Sequence, residues 1–319
     1  MRLLPAAALV ALAFDANAGG AEMEARLKAG FAAGDLDGLH SVLILHEGEV
    51  FGEAHFPGVD ERWGTPLGVR DHGPDTLHDL RSVTKSVASI LYGIALEKGL
   101  VPPVDASLVA AFPAYADLAD DPARAAITVE DALTMRMGVE WDETLPYSDP
   151  RNSEIAMENA EDRYRFALSR PIVEEPGTVW RYNGGATALI GRLIELGAGE
   201  PLDVFAERVL FKPLAIERFE WVKGADGTAS AASGLRLRIG DMAKIGRMIV
   251  EGGVWEGRRV VSESWIEAML TPRTMSEGTL RYGYFWWLAP GDGAPVWSAG
   301  FGNGGQRLSI NRDLKIVVA

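Results

Sequence analysis

The sequence predicts an α/β protein, of the mixed α+β kind, whose sheet is assembled from the two ends of the chain around a mostly helical insertion. Strand-like segments lie near both ends, at residues 41–56 and 282–318. Helical periodicity dominates between them, and helices packed on a sheet close a core where neither layer alone can. At 319 residues and 47% hydrophobic, the chain can bury a core larger than one small domain. A charged fraction of 24% excludes wholesale disorder.

Residues 1–20 read MRLLPAAALVALAFDANAGG. Arg2 precedes the apolar run 3–14, and Ala16-Asn17-Ala18 forms a small-x-small site. This is the pattern of a secretory signal peptide, too short to span a bilayer, and it predicts export to a periplasmic or extracellular location after loss of residues 1–18. Residues 41–50 (SVLILHEGEV) read as a strand entering a Glu-Gly turn, with 51–56 as its hairpin partner. Val83, Val87, Ile90, Leu91 and Ile94 recur at helical spacing within 81–98, and Gly99 stops that helix. Helices follow over 128–137 (Thr128 as cap, Asp131 at its third position), 186–196, 202–210, 241–250 and 262–270. The stretches 282–288 (YGYFWWL), 307–311 and 314–318 read as strands, with a glycine-dense turn at 300–305. The expected organisation is a signal peptide (1–18), a discontinuous sheet domain (19–80 with 226–319) and a mostly helical domain (81–225).

Composition narrows the function classes. Acidic residues outnumber basic ones 45 to 31, and a net charge of −14 repels phosphate backbones, so no nucleic-acid partner is expected. No apolar stretch after the leader reaches spanning length, so no membrane span is expected. Without cysteine there is no disulfide, thiolate nucleophile or thiolate metal site. The histidines, His40, His46, His55, His72 and His78, all lie early, so no histidine base can follow a late serine. With no HExxH, no metal site and no cofactor are expected. Asp117, Asp120 and Asp121 lack the EF-hand pattern and read as a solvated acidic loop.

Ser82-Val83-Thr84-Lys85 opens the first long helix. Spacing of three puts Ser82 and Lys85 on one face, about 5–6 Å apart at Cβ. A serine hydroxyl needs a base, and a lysine can serve if desolvation lowers its pKa from roughly 10.4 to about 7.5. Few carboxylates lie nearby in sequence, so a desolvated, neutral Lys85 is the expectation. A serine at a helix N-terminus also offers its own N–H to an oxyanion. Roughly a hundred residues on, Tyr182 stands in a loop before a helix, where cationic neighbours would favour a proton-shuttling phenolate. Trp141, Tyr147, Trp286 and Trp287 are candidates for an apolar cleft wall, with core packing expected for at least two of them.

These segments together resemble the serine β-lactamase and penicillin-binding-protein superfamily, in its class C-like esterase, amidase and peptidase branch, similar to 6-aminohexanoate-dimer hydrolase-type proteins. His78-Asp79-Leu80-Arg81-Ser82-Val83-Thr84-Lys85-Ser86 resembles the nucleophile helix, and Thr134-Met135-Arg136-Met137-Gly138 a turn of that branch. Pro176-Gly177 with Tyr182-Asn183-Gly184 resembles its Y-x-N stretch, Ser233-Gly234-Leu235 with Gly240-Asp241-Met242-Ala243 the return to the sheet domain, and Trp297-Ser298-Ala299-Gly300-Phe301 its third, K/H-T-G-like strand. The motifs run in family order over residues 35–318. The resemblance implies a β-lactamase/transpeptidase-like fold, with an antiparallel sheet flanked by helices. It implies Ser82 as the acylated nucleophile, Lys85 and Tyr182 as general bases, and the backbone N–H groups of Ser82 and Phe301 as the oxyanion hole. Asn183, Gly184, Ser298, Ala299, Gly300 and Trp286 would contact substrate.

Three departures matter. Gly184 stands where the family often has asparagine, so the amide is missing or comes from Asn183. Ser298 supplies no cation, which weakens a β-lactam carboxylate site and favours a small-molecule ester or amide substrate, with Arg307 as a compensating cation. The chain also stops within a strand (LKIVVA), where family members usually continue, so truncation and an exposed sheet edge are expected. The expected function is an exported serine hydrolase; the alternative is a penicillin-recognising or cell-wall-binding module that acylates without turnover.

Overall fold

The computed structural model describes residues 19–289 and 296–319; the leader expectation for 1–18 lies outside the described residues. Its centre is an eight-stranded sheet in which every neighbouring pair is antiparallel. In chain order its strands are β1 (Ser41–His46) and β2 (Glu49–His55), then β10 (Thr274–Met275), β11 (Arg281–Tyr282), β12 (Trp287–Leu288), β13 (Ser298–Gly302), β14 (Gln306–Asn311) and β15 (Ile316–Val318). Their spatial order, β10-β11-β12-β13-β14-β15-β1-β2, makes β15 an interior strand, with Ile44 opposite Val318. The expectation of an exposed C-terminal edge is therefore corrected: Ile316–Val318 is paired on both sides, Leu314 and Lys315 lie in the turn before it, and the edges are β10 and β2.

The β1–β2 hairpin forms as its turn chemistry dictates. Glu47 and Gly48 both take positive φ (52° and 86°), the two-residue turn that matches strand twist. Helix α1 (Gly20–Ala32) lays Met23 and Leu27 against Val42, Ile44, Ala54 and Phe56. Smaller sheets pair β3 (Gly58–Arg62) with β4 (Thr65–Arg70), β7 (Leu235–Arg238) with β5 (Leu77–Asp79) on one side and β6 (Glu220–Trp221) on the other, and β8 (Val254–Trp255) with β9 (Arg258–Arg259).

The remaining helices used below are α2 (Val83–Glu97), α3 (Val129–Leu133), α4 (Ser153–Glu158), α5 (Gly184–Ala198), α6 (Leu202–Ala206), α7 (Ile239–Val250) and α8 (Glu263–Leu270). α2 is buried around almost its whole circumference, between the sheet and α5, rather than along one stripe. α3 is shorter than the expected 128–137 helix, because Met135 takes φ 60° and turns the chain. α5 passes the expected stop at Gly197 and ends at left-handed Gly199. α6 gives way after Ala206 to a π-helical turn, Glu207–Phe211, rather than continuing to 210.

The segment 282–288 is not one strand. Gly283 N–H donates to the Trp286 carbonyl at 2.9 Å and Phe285 takes φ 60°, so the chain folds into the tight β11–β12 turn. The apolar run hides that turn because Tyr284, Phe285 and Trp286 all enter the core. No helix among the described residues is long and apolar enough to cross a membrane.

Candidate active site

β5 delivers the chain to Ser82 through Leu80 and Arg81. Arg81 takes φ 48°, unusual for a side chain with a Cβ, and ion pairs to Glu61 and to Asp79 (3.3 Å) hold it there. That turn places Ser82 at the N-cap of α2, and the N–H groups of Val83, Thr84 and Lys85 donate to the Leu80, Arg81 and Ser82 carbonyls (3.1, 3.0 and 3.1 Å). One turn on, Lys85 is buried to 1% exposure. Its Nζ donates to Ser82 Oγ (3.1 Å), the Ala232 carbonyl (2.9 Å) and Glu154 Oε2 (3.4 Å). It also lies 4.9 Å from the centre of the Tyr182 ring.

Three acceptors match the three protons of an ammonium. Burial alone would push the Lys85 pKa down, but the opposing charge of Glu154, with Tyr182 and Glu143 behind it, outweighs burial and carries it upward. The expectation of a neutral lysine is thus overturned. Ser82 and Lys85 are adjacent, but a buried carboxylate distant in sequence keeps the amine protonated.

Tyr182 is half-buried, with the Ser82 hydroxyl in hydrogen-bonding contact with its phenol. Burial raises the phenol pKa; Lys85 pulls it back and Glu143 opposes Lys85, so the net direction is up. Lys85 favours the phenolate as expected, yet the resting form is the neutral phenol. The loop is fixed from behind by the Met135 turn: the Met135 carbonyl accepts from Arg181 N–H (2.8 Å) and its Sδ from Asn183 N–H (3.2 Å).

Gly184 and Glu154 explain each other. A Cβ at Gly184 would sit 2.4 Å from Glu154 Oε2, so the carboxylate occupies the space beside Lys85 that a side chain at 184 would need. Asn183 does not replace the missing amide. It is buried, and its Oδ1 caps α5 by accepting from Ala186 N–H at 3.0 Å. Gly184 N–H donates to Glu143 Oε1 (2.5 Å), which also takes the Trp141 indole N–H (2.6 Å), while Glu143 Oε2 accepts from Tyr147 (2.8 Å). Burial first, then the neighbouring charge of Glu154, raises the Glu143 pKa to about 7 against the pull of Lys85.

β13 forms the opposite wall. Its pairing with β12 ends at Ala299, so Gly300, Phe301 and Gly302 run on beside α2. A Cβ on Gly300 would meet Ser86 Oγ at 2.8 Å and Val83 at 3.2 Å, so only glycine admits this approach. Phe301 stacks on Trp287 (5.6 Å), which stacks on Tyr182 (5.9 Å), and the Arg307 guanidinium lies 4.7 Å from the Phe301 ring. Trp286 is corrected: at 0% exposure it belongs to the core, and Trp287 takes the wall. Trp141 is also core, whereas Tyr147 is exposed. Ser298 and Ala299 are buried, and Ser298 borders a depression with Glu267 and Arg312 that includes none of Ser82, Lys85 and Tyr182.

The structure therefore brings Ser82, Lys85, Tyr182, Gly184 and Gly300 together. Glu154, Glu143 and the Ala232 carbonyl were not evident from the sequence, whereas Trp287 was one of the four aromatic candidates for the cleft wall. The one available signal was Gly184 itself, a vacancy where a neighbouring side chain can stand.

A family model described as Beta-lactamase matches residues 24–319. The chain belongs to the β-lactamase family. It is 24% identical over 242 residues to 6-aminohexanoate-dimer hydrolase from Paenarthrobacter ureafaciens, an alignment covering 72% of this chain and 56% of that protein. The chain thus spans little more than half the length of that relative. Its fold is shared with a putative β-lactamase from Bacteroides dorei DSM 17855 (TM-score 0.73, 18% identity, 94% and 90% of the two chains). It is shared equally with EstCE1, described as a hydrolase with promiscuous acyltransferase activity (TM-score 0.71, 15% identity, 92% and 91%).

Proposed function

We propose that this β-lactamase-family chain is an exported serine hydrolase that cleaves an ester or small amide through an acyl-enzyme on Ser82. The contact that carries the reading is Lys85 Nζ, 3.1 Å from Ser82 Oγ and under the Tyr182 ring. Nucleophile, cation and phenol meet at the N-cap of α2, where Ser82 would offer its own N–H to an oxyanion. The relative from P. ureafaciens, named a 6-aminohexanoate-dimer hydrolase, and EstCE1, named a hydrolase with promiscuous acyltransferase activity, support a small acyl substrate.

In this scheme the Lys85–Tyr182 pair must lose one proton to become competent. Ser82 Oγ then attacks the substrate carbonyl and passes its proton to the pair. The N–H groups of Ser82 and Phe301 hold the oxyanion. Tyr182 returns the proton to the leaving group and afterwards draws one from the deacylating water. The wall of Tyr182, Trp287 and Phe301 suits an apolar, uncharged acyl group, and Arg307 is the cation at its rim.

The test combines a fluorophosphonate probe with turnover of short-chain aryl esters. Wild-type chain should be labelled and should turn esters over. Ser82→Ala should lose labelling entirely and Tyr182→Phe should lose at least about 100-fold in kcat. Undiminished turnover by folded Ser82→Ala would defeat the reading. Export is tested by the mass of protein secreted from a bacterial host, which should begin at residue 19.

A further inference from the structure

Three of the early histidines converge outside the active site. His40 precedes β1, His72 lies between β4 and β5, and His78 is in β5. One ring nitrogen from each lies within 4.8 Å of the others. The His40 and His72 rings stack at 4.0 Å, and those of His72 and His78 lie 5.2 Å apart. We propose that His40, His72 and His78 form a site for a divalent transition cation of the zinc type, bracing the strand that leads into Ser82.

Three observations carry this. His72 is 7% exposed, yet neither ring nitrogen has a hydrogen-bond partner among the described residues. The Gly58 carbonyl is near enough to act on the ring but does not make a well-formed bond with either nitrogen. A buried imidazole with both nitrogens unsatisfied is costly and uncommon, and a metal bond relieves it. Second, a Cβ at Gly58 would lie 2.7 Å from His40 Nε2, so the β3 backbone leaves a cradle for that ring. Third, His40, Asp60 and His78 border a cavity of about 750 Å³, which gives a cation a way in and a water a place to bind.

The ligand type selects the metal. Three imidazoles suit zinc, cobalt or nickel and disfavour magnesium or calcium, which take oxygen. Zinc–nitrogen bonds of about 2.0–2.1 Å in a tetrahedron place ligand atoms roughly 3.4 Å apart, so the half-exposed His40 ring would close inward on binding. The buried Asp60, with one oxygen on the Glu61 N–H (2.9 Å), is near enough for its charge to act on His72 and His78 and would favour a cation there. The site lies four residues before Ser82 in sequence and uses none of the catalytic groups, so it stands independently of the hydrolase reading.

The experiment uses the whole chain without a polyhistidine tag, stripped with chelator. Cobalt(II) is titrated by visible absorption, zinc by calorimetry, and bound metal is counted by mass spectrometry. The expected result is about one cation per chain, a tetrahedral cobalt spectrum discharged by zinc, and no response to magnesium. His40→Ala and His72→Ala should each weaken zinc binding at least about 10-fold, while exposed His46→Ala leaves it unchanged. Should His72→Ala not fold, His40→Ala decides, since its ring is half-exposed. Less than about 0.1 cation per folded chain, or binding undiminished in His40→Ala, overturns the proposal.

Discussion

Glu143 sets the pH behaviour of the site. Its carboxyl is raised to about 7 from an ordinary value of 4.5, so between those values the folded chain keeps a proton that the unfolded chain has lost. Stability from this group therefore falls as pH rises from about 4.5 and is fully lost above about 7. The interval is worth up to about 3 kcal/mol at 1.36 per pH unit, which partial exposure screens to roughly 1–2 kcal/mol. Glu143→Gln should flatten the fall between pH 5 and pH 8, read by denaturant unfolding at both. The same charge opposes proton loss from Tyr182 and Lys85. The rising limb of kcat/KM against pH should therefore move to lower pH in Glu143→Gln. An unmoved limb would remove Glu143 from the electrostatics of the pair.

At the scale of elements, short turns rather than long helices aim the reacting groups. α3 is only Val129–Leu133, yet it ends in the Met135 turn that clamps the Tyr182 loop. A full capping box starts it: Thr128 Oγ1 accepts from Asp131 N–H (3.1 Å), and Asp131 Oδ2 accepts from Thr128 N–H (2.9 Å). Thr128→Ala should lower unfolding free energy by about 1 kcal/mol. It should reduce kcat more than it raises KM, because the displaced group acts in the chemical step. The cap, the i,i+3 pair Ser82–Lys85 and the β1–β2 turn were legible in the sequence because each is a local pattern. The β11–β12 turn was not, since nothing in YGYFWWL marks it, and without that turn the wall residue Trp287 could not be told from the core residue Trp286. Glu154 was hidden for a different reason. It stands 69 residues from Lys85, and only the approach of α4 to α2 makes it a partner.

At the scale of the whole molecule, the sheet is closed by contact between the two ends of the described chain. β15 joins β14 to β1, and the Leu43 and Ala319 backbones exchange hydrogen bonds of 3.0 and 2.9 Å. The expectation of a sheet built from both ends around helices came from counting strand-like segments, and its antiparallel character from the family resemblance. The position of β15 inside the sheet was not legible, since a terminal strand reads as an edge until its neighbours are known. A chain ended at Asn311 loses β15 and splits the sheet between β14 and β1. It should lack a cooperative thermal transition, by calorimetry, that the full chain shows. A sharp transition in the shortened chain would mean that β1 and β2 are dispensable to the core.

The central claim is that Ser82 is acylated during turnover. Rapid-quench intact-mass measurement on the chain mixed with a short-chain aryl ester tests it most directly. The account predicts a transient mass increase equal to the acyl group, mapped by peptide digestion to Ser82, that decays as substrate is exhausted and never forms in Ser82→Ala. Ester turnover with no adduct at any time, at the same rate in Ser82→Ala, would contradict it.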